Sequence, residues 1–189
     1  MLFSKFFATC PLRVAASVVA ATLASCAVLV FTASPAAPAT APSAVAASAP
    51  SCPTSGLVIW LNDEAGGGTA GSVYYKLEFT NLSARTCTLR GYPGVSAVNL
   101  RGGGVGGGAS REVVHKPRPV TLANGSTASA VLRIVDAGAL PSCAPVNAAG
   151  LRVYPPGQTR AKVVPFPFQA CSSAGRSDLI VGALAPGGS

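Results

Sequence analysis

Histidine, methionine and tryptophan each occur once in the 189 residues, and six Asp and Glu stand against fourteen Lys and Arg. A single imidazole excludes any metal centre built from several histidines. The six carboxylates are Asp63, Glu64, Glu78, Glu112, Asp136 and Asp178. Asp63 and Glu64 are chain neighbours that point apart on an extended backbone, so no glycosidase-type carboxyl pair is signalled. Aromatic residues at 6% give no series of stacking platforms for nucleic-acid bases. No Cys-x-x-Cys pair, no Gly-Lys-Ser/Thr and no Gly-x-Ser-x-Gly occurs, which removes the usual signals for structural zinc, a phosphate loop and a nucleophile elbow. Charged residues are few at 11%, but 49% hydrophobic content argues against a wholly disordered chain.

What is present begins with a patterned N-terminus. Lys5 and Arg13 are the only charges before Asp63, and residues 14–33 are apolar or small throughout. A basic flank before an apolar stretch is the pattern of an export signal or membrane anchor. Three fates stay open for residues 1–33: cleavage in the small-residue run, as after Ala39 in Ala37-Pro38-Ala39; lipidation of Cys26 in the lipobox-like Leu23-Ala24-Ser25-Cys26; or retention as an anchor, since about 20 residues can cross a bilayer. All three put the remainder outside the cytoplasmic membrane, secreted or held at the cell envelope. Residues 34–51 are Ala, Pro and Ser with one Thr and one Val, uncharged and broken by prolines. They read as a disordered tether.

Residues 52–189 read as one all-β domain. Ser72–Asn81 alternates, with Val73, Tyr75, Leu77 and Phe79 on one face and Tyr74, Lys76, Glu78 and Thr80 on the other, the period of a half-buried strand. Leu57–Asn62 is a short apolar run holding the only Trp. Further strands are expected at Cys87–Arg90, Val95–Leu100, Arg111–His115, Val120–Leu122, Thr127–Val135, Leu151–Tyr154, Arg160–Val164 and Leu179–Leu184. In the longest, Ala128, Ala130, Leu132 and Ile134 share a face. Gly, Pro and Asn clusters at 65–71, 91–94, 101–108, 124–125 and 155–157 supply turns. The best helical candidate, Ala144–Ala149, amounts to one turn stopped by Gly150. Short strands with frequent turns point to an immunoglobulin-like antiparallel β-sandwich, with a closed barrel as the alternative.

Four cysteines fall in this domain, and an even set in an exported chain is expected to be oxidised. Cys52 precedes the strand at Leu57 and Cys87 follows the strand ending at Asn81, so a hairpin of those strands brings the two together at its open end. The same reasoning joins Cys143 to Cys171 around the strands at Leu151 and Val163. Each bridge is worth roughly 3–4 kcal/mol by chain entropy.

The series Cys52, Ala70-Gly71-Ser72, Phe79-Thr80-Asn81 and Thr86-Cys87-Thr88-Leu89-Arg90-Gly91-Tyr92-Pro93-Gly94-Val95 resembles an exported actinobacterial family, the domain of unknown function 4232. Val120-Thr121-Leu122-Ala123-Asn124-Gly125, Cys143-Ala144-Pro145, Leu151-Arg152-Val153-Tyr154-Pro155-Pro156-Gly157 and Cys171 continue the resemblance, with Asn124 where the family often has Pro. The resemblance implies a leader followed by a β-sandwich, and no activity, cofactor or catalytic residue.

The chemistry-bearing candidates are few. The glycine run at 102–108 lacks the flanking strand and helix of a dinucleotide site and reads as a mobile loop. His115, beside Lys116, Pro117 and Arg118, is the only imidazole base available to a Ser-His-Asp set; it reads as a surface residue at a strand end. Residues 111–118 hold the densest positive charge, with Arg111, Lys116 and Arg118 as an anionic-partner surface. Asn81-Leu82-Ser83 and Asn124-Gly125-Ser126 are glycosylation sequons, used or not according to host. The expectation is a monomeric, non-enzymatic module at the envelope or outside the cell. It binds a protein or anionic envelope polymer, needs no metal or cofactor, does not bind nucleic acid, and meets the membrane only through its N-terminal segment. The alternatives are a secreted hydrolase centred on His115 and a protease inhibitor presenting loop 101–110, which its many glycines make a poor rigid substrate mimic.

Overall fold

A computed structural model describes residues 49–62 and 67–187. The leader, Cys26, most of the tether, Asp63 and Glu64 lie outside the described residues. The strands, in chain order, are β1 (Leu57–Asn62), β2 (Gly68–Thr69), β3 (Ser72–Asn81), β4 (Cys87–Leu89), β5 (Gly94–Val98), β6 (Gly104–Gly108), β7 (Ser110–Arg111), β8 (Val120–Leu122), β9 (Thr127–Val135), β10 (Pro145–Tyr154), β11 (Lys162–Cys171), β12 (Leu179–Val181) and β13 (Ala185–Pro186). Two single 3-10 turns, Thr54–Gly56 and Ala137–Ala139, are the only helical elements among the described residues.

The strands form two open sheets and one small ladder. The larger sheet runs β1-β3-β9-β12-β7, with β2 against β3 and β13 against β9; the second runs β11-β10-β5-β6; β4 pairs with β8. Pairing is antiparallel except for β12 with β7. The closed-barrel alternative is therefore not adopted. Leu57, Ile59, Leu77, Phe79, Leu132, Ile134, Leu179 and Val181 of the larger sheet share one buried cluster with Val95, Leu151, Val153 and Val164 of the second, closed at one margin by Leu89, Val120 and Leu122 of the ladder. That is a sandwich-like core, formed because each strand's alternate residues are apolar and must leave water together.

The alternation in Thr127–Val135 places Ala128, Ala130, Leu132 and Ile134 in the core, and Leu77 and Phe79 of Ser72–Asn81 are buried as expected. The opposite face of that strand is not simply exposed: Glu78 is 2% exposed, whereas Val73, near the strand's start, is 41% exposed. Both expected disulfides are present. Cys52 joins Cys87 with Cα atoms 4.9 Å apart, and Cys143 joins Cys171 at 5.3 Å. The hairpin reasoning holds in register: Leu57 opposes Asn81 in the first pair of strands, and Pro145 opposes Cys171 in the second. Pro50 and Ser51, at the end of the tether segment, already join the ladder, since Thr88 N donates to Pro50 O at 2.8 Å and Ser51 bridges Thr88.

Several local expectations are corrected. From Pro145 on, the segment 144–149 is strand, not a helical turn: Val146, Asn147 and Ala148 pair with Ala170, Gln169 and Phe168. Six residues cannot sustain a helix unaided, whereas the Cys143–Cys171 bridge seats this segment against β11. Residues 104–108 form β6 rather than a loop, pairing with β5. Gly106 shows why glycine is required: its φ is +64°, and a Cβ there would lie 2.0 Å from the Cys171 carbonyl oxygen. Strand β11 runs on to Cys171 through Pro165 and Pro167. It lies at the end of its sheet, where missing N–H donors are tolerated and discourage further pairing. Residues 112–115 are not strand. The parallel ladder of β7 with β12 stops at the pair Val181–Arg111, and β12 itself ends at Val181.

Candidate functional site

Beyond Arg111 the chain leaves the sheet as a strap, residues 112–119, before pairing with β4 as β8 in the small ladder. Two features of the sequence dictate this. Pro117 and Pro119 have no N–H to give to a ladder, and each pushes the preceding residue, Lys116 or Arg118, toward extended backbone. The strap is tied at few points. Glu112 N donates to Val181 O at 2.9 Å, and the Tyr92 hydroxyl donates to His115 O at 3.1 Å. Tyr92 carries a second tie, with the Arg111 guanidinium 5.6 Å from its ring centroid. Tyr92 falls in the turn expected at 91–94, and the structure makes it the post that holds the basic segment.

The strap bounds a groove of about 910 Å³ whose other wall is residues 182–186, with Val131 of β9 between. It brings together Glu112, Val114, His115, Lys116 and Arg118. The opposite wall exists because β12 stops and β13 takes over the pairing with β9 after a break at 182–184. Gly182 N still donates to Val131 O at 2.9 Å, and Leu184 N to Gly91 O at 2.9 Å. The His115, Lys116 and Arg118 side chains are exposed, as is Arg111. Among the described residues no carboxylate pairs with Lys116 or Arg118, and Glu112 is the single acid at the groove. Three other cations are committed elsewhere: Arg133 Nε donates to Ser72 Oγ at 3.0 Å, Arg152 to the Gly102 carbonyl and Lys162 to the Leu57 carbonyl.

The other described acids stand elsewhere: Glu78 is buried in β3, its Oε1 accepting from Asn62 Nδ2 at 3.2 Å. Asp136 Oδ1 accepts from Gly138 N at 2.9 Å and caps a 3-10 turn. Asp178 is 2% exposed, with Oδ1 accepting from Cys171 N at 3.3 Å and Oδ2 lacking a partner. Burial pushes its carboxyl above the ordinary range, partly offset by that backbone bond. Among the described residues no three His, Cys, Asp or Glu side chains gather in a metal-ligating group. A smaller cleft of about 400 Å³ opens between β3, β9 and β11, walled by Tyr75, Phe166 and Phe168, and holds no basic residue.

Residues carrying the family resemblance meet in space. Asn81 is fully buried, and its Nδ2 donates to Leu122 O at 2.9 Å, Ala123 O at 3.2 Å and Arg85 O at 2.7 Å. The Phe79-Thr80-Asn81 block is thereby fastened to the Val120–Gly125 block. Gly94 pairs with Tyr154 across β5 and β10, joining the Gly-Tyr-Pro-Gly block to the one ending at Gly157. These residues hold strands and turns in place. No curated protein and no solved structure matches the chain. The family model described as a domain of unknown function, DUF4232, matches residues 52–185, and the chain belongs to that family.

Proposed function

We propose that this protein is a non-enzymatic binding module working outside the cytoplasmic membrane, and that the strap and its groove are its contact surface for an anionic envelope component. One observation carries the reading: His115, Lys116 and Arg118 line one groove with a single acid, Glu112. Clustered cations around a low-dielectric wall attract anions over a Debye length, about 8 Å at physiological salt, and more strongly when desolvated. Two disulfides support an oxidising compartment, consistent with the export pattern of residues 1–33. The placement of Asp136 and Asp178, each bonded to backbone away from the groove, supports a binding role over a His115-centred hydrolase.

The test is retention on isolated envelope material across a salt series, comparing the protein with its Lys116→Ala/Arg118→Ala variant. The native protein is expected to be retained at low salt and released as salt rises, with the variant released earlier. Equal retention of the two proteins at every salt concentration would overturn the assignment of this surface.

A further inference from the structure

We propose that the strap docks on an anionic phospholipid surface, with Val113 and Val114 entering the interface and Arg111, Lys116 and Arg118 meeting the headgroups. This deepens the reading above and rests on it, by naming the anion's source, and it departs from the sequence expectation that only the N-terminal segment meets the membrane. Val113 is 76% and Val114 75% exposed, consecutive at the bend of the strap, with Val114 on the groove side; among the described large apolar side chains only Leu100, at 95%, is more exposed. Arg111 lies two residues before this pair; Lys116 and Arg118 lie two and four residues after it.

The chemistry favours a fluid interface over a polyanion. A soluble polyanion satisfies the cations but leaves both valines in water, whereas hydrocarbon and headgroups rearrange around a protruding apolar tip flanked by cations. The strap is also suited to partial desolvation. Pro117 and Pro119 remove two backbone donors that would otherwise lose water, and they stiffen the segment so that little order is gained on docking. Glu112 opposes the interaction, being the one acid beside the tip. Each Lys or Arg near an anionic membrane contributes about fivefold in partitioning. Half-burying two valines adds roughly tenfold or more.

The experiment uses the full chain, so that any contribution of the N-terminal segment is common to every protein compared. Native protein, Val113→Ser/Val114→Ser, Lys116→Ala/Arg118→Ala and Glu112→Gln are partitioned onto phosphatidylcholine vesicles with and without phosphatidylglycerol. Binding to soluble polyphosphate is measured in parallel. The substituted side chains are exposed, and an unchanged urea midpoint confirms folding. Partitioning onto phosphatidylglycerol vesicles is expected to fall about tenfold or more for the serine and alanine variants and to rise for Glu112→Gln. Polyphosphate binding should fall only for the alanine variant. Native-level vesicle binding by the serine variant, with loss in the alanine variant, overturns the membrane inference and leaves the anion-binding surface standing. Native-level binding of both probes by the alanine variant overturns both.

Discussion

Asn81→Ala is expected to cost about 3–4 kcal/mol of stability although it touches no part of the groove. The side chain is 0% exposed and makes five hydrogen bonds. Nδ2 donates to the carbonyls of Arg85, Leu122 and Ala123, while Oδ1 accepts from Ser83 N at 3.0 Å and Ser83 Oγ at 2.7 Å. Alanine leaves the buried Leu122 carbonyl without this donor, at about 1–3 kcal/mol, and gives up the other bonds at about 0.5–1 kcal/mol each where water reaches their partners. Ser83 Oγ can fall back on Arg85 O, at 3.2 Å, so its share is the smallest. Equilibrium unfolding in urea should show a lower midpoint with an unchanged slope, and the melting temperature should drop by about 10 °C. Ser83→Ala serves as the graded control, losing about 1 kcal/mol. A loss below about 1 kcal/mol for Asn81→Ala would refute the claim that this amide fastens the β3 end to the β8–β9 turn. The same burial bears on the two sequons: in the folded domain only Asn124, which is exposed, can carry a glycan.

Two further outcomes test the corrected segments and the buried acid. Gly106→Ala and Gly125→Ala both place a side chain at positive φ, +64° and +82°, but only the first meets an atom, the Cys171 oxygen at 2.0 Å. Gly125→Ala should therefore cost about 1 kcal/mol and Gly106→Ala at least about 2–3 kcal/mol by urea unfolding, and equal losses would mean that β6 is not seated against residue 171. For Asp178, the folded carboxyl holds its proton more tightly than the unfolded one, whose ordinary value is 3.8. Its contribution to stability is accordingly full below that value and declines as pH rises through the raised folded-state value. Asp178→Asn should melt higher than the native protein at neutral pH, with the difference shrinking as pH falls through the raised folded-state value toward 3.8 and levelling off below it; a constant difference between neutral pH and 3.8 would contradict the sign.

The parts legible in the sequence were those encoded by near neighbours. The alternation of Val73, Tyr75, Leu77 and Phe79 announced β3, because a strand's side chains change face at every residue whatever its partner. The cysteine pairing followed from hairpins, since antiparallel neighbours return the chain to where it started. The segments misread were those whose state depends on a distant partner. Residues 104–108 carry almost no side-chain signal and become strand because β5 and the Cys171 backbone lie alongside. Residues 112–115 carry two β-branched valines that suit a strand but have no ladder left to join.

The candidate site divides in the same way. Arg111, His115, Lys116 and Arg118 are visible as a run of charge, and the prolines between them foretell an extended segment. Nothing local signals the wall at 182–186, Val131, or Tyr92 as the post. An all-β domain with two bridges and a basic, proline-stiffened segment follows from local pattern, because periodicity, proline geometry and cysteine closure act over short stretches of chain. That this segment borders a groove follows only from long-range packing. Its wall depends on the parallel pairing of Ser110 with Ile180 and on the early end of β12, a contact between parts of the chain too far apart for any local pattern to record.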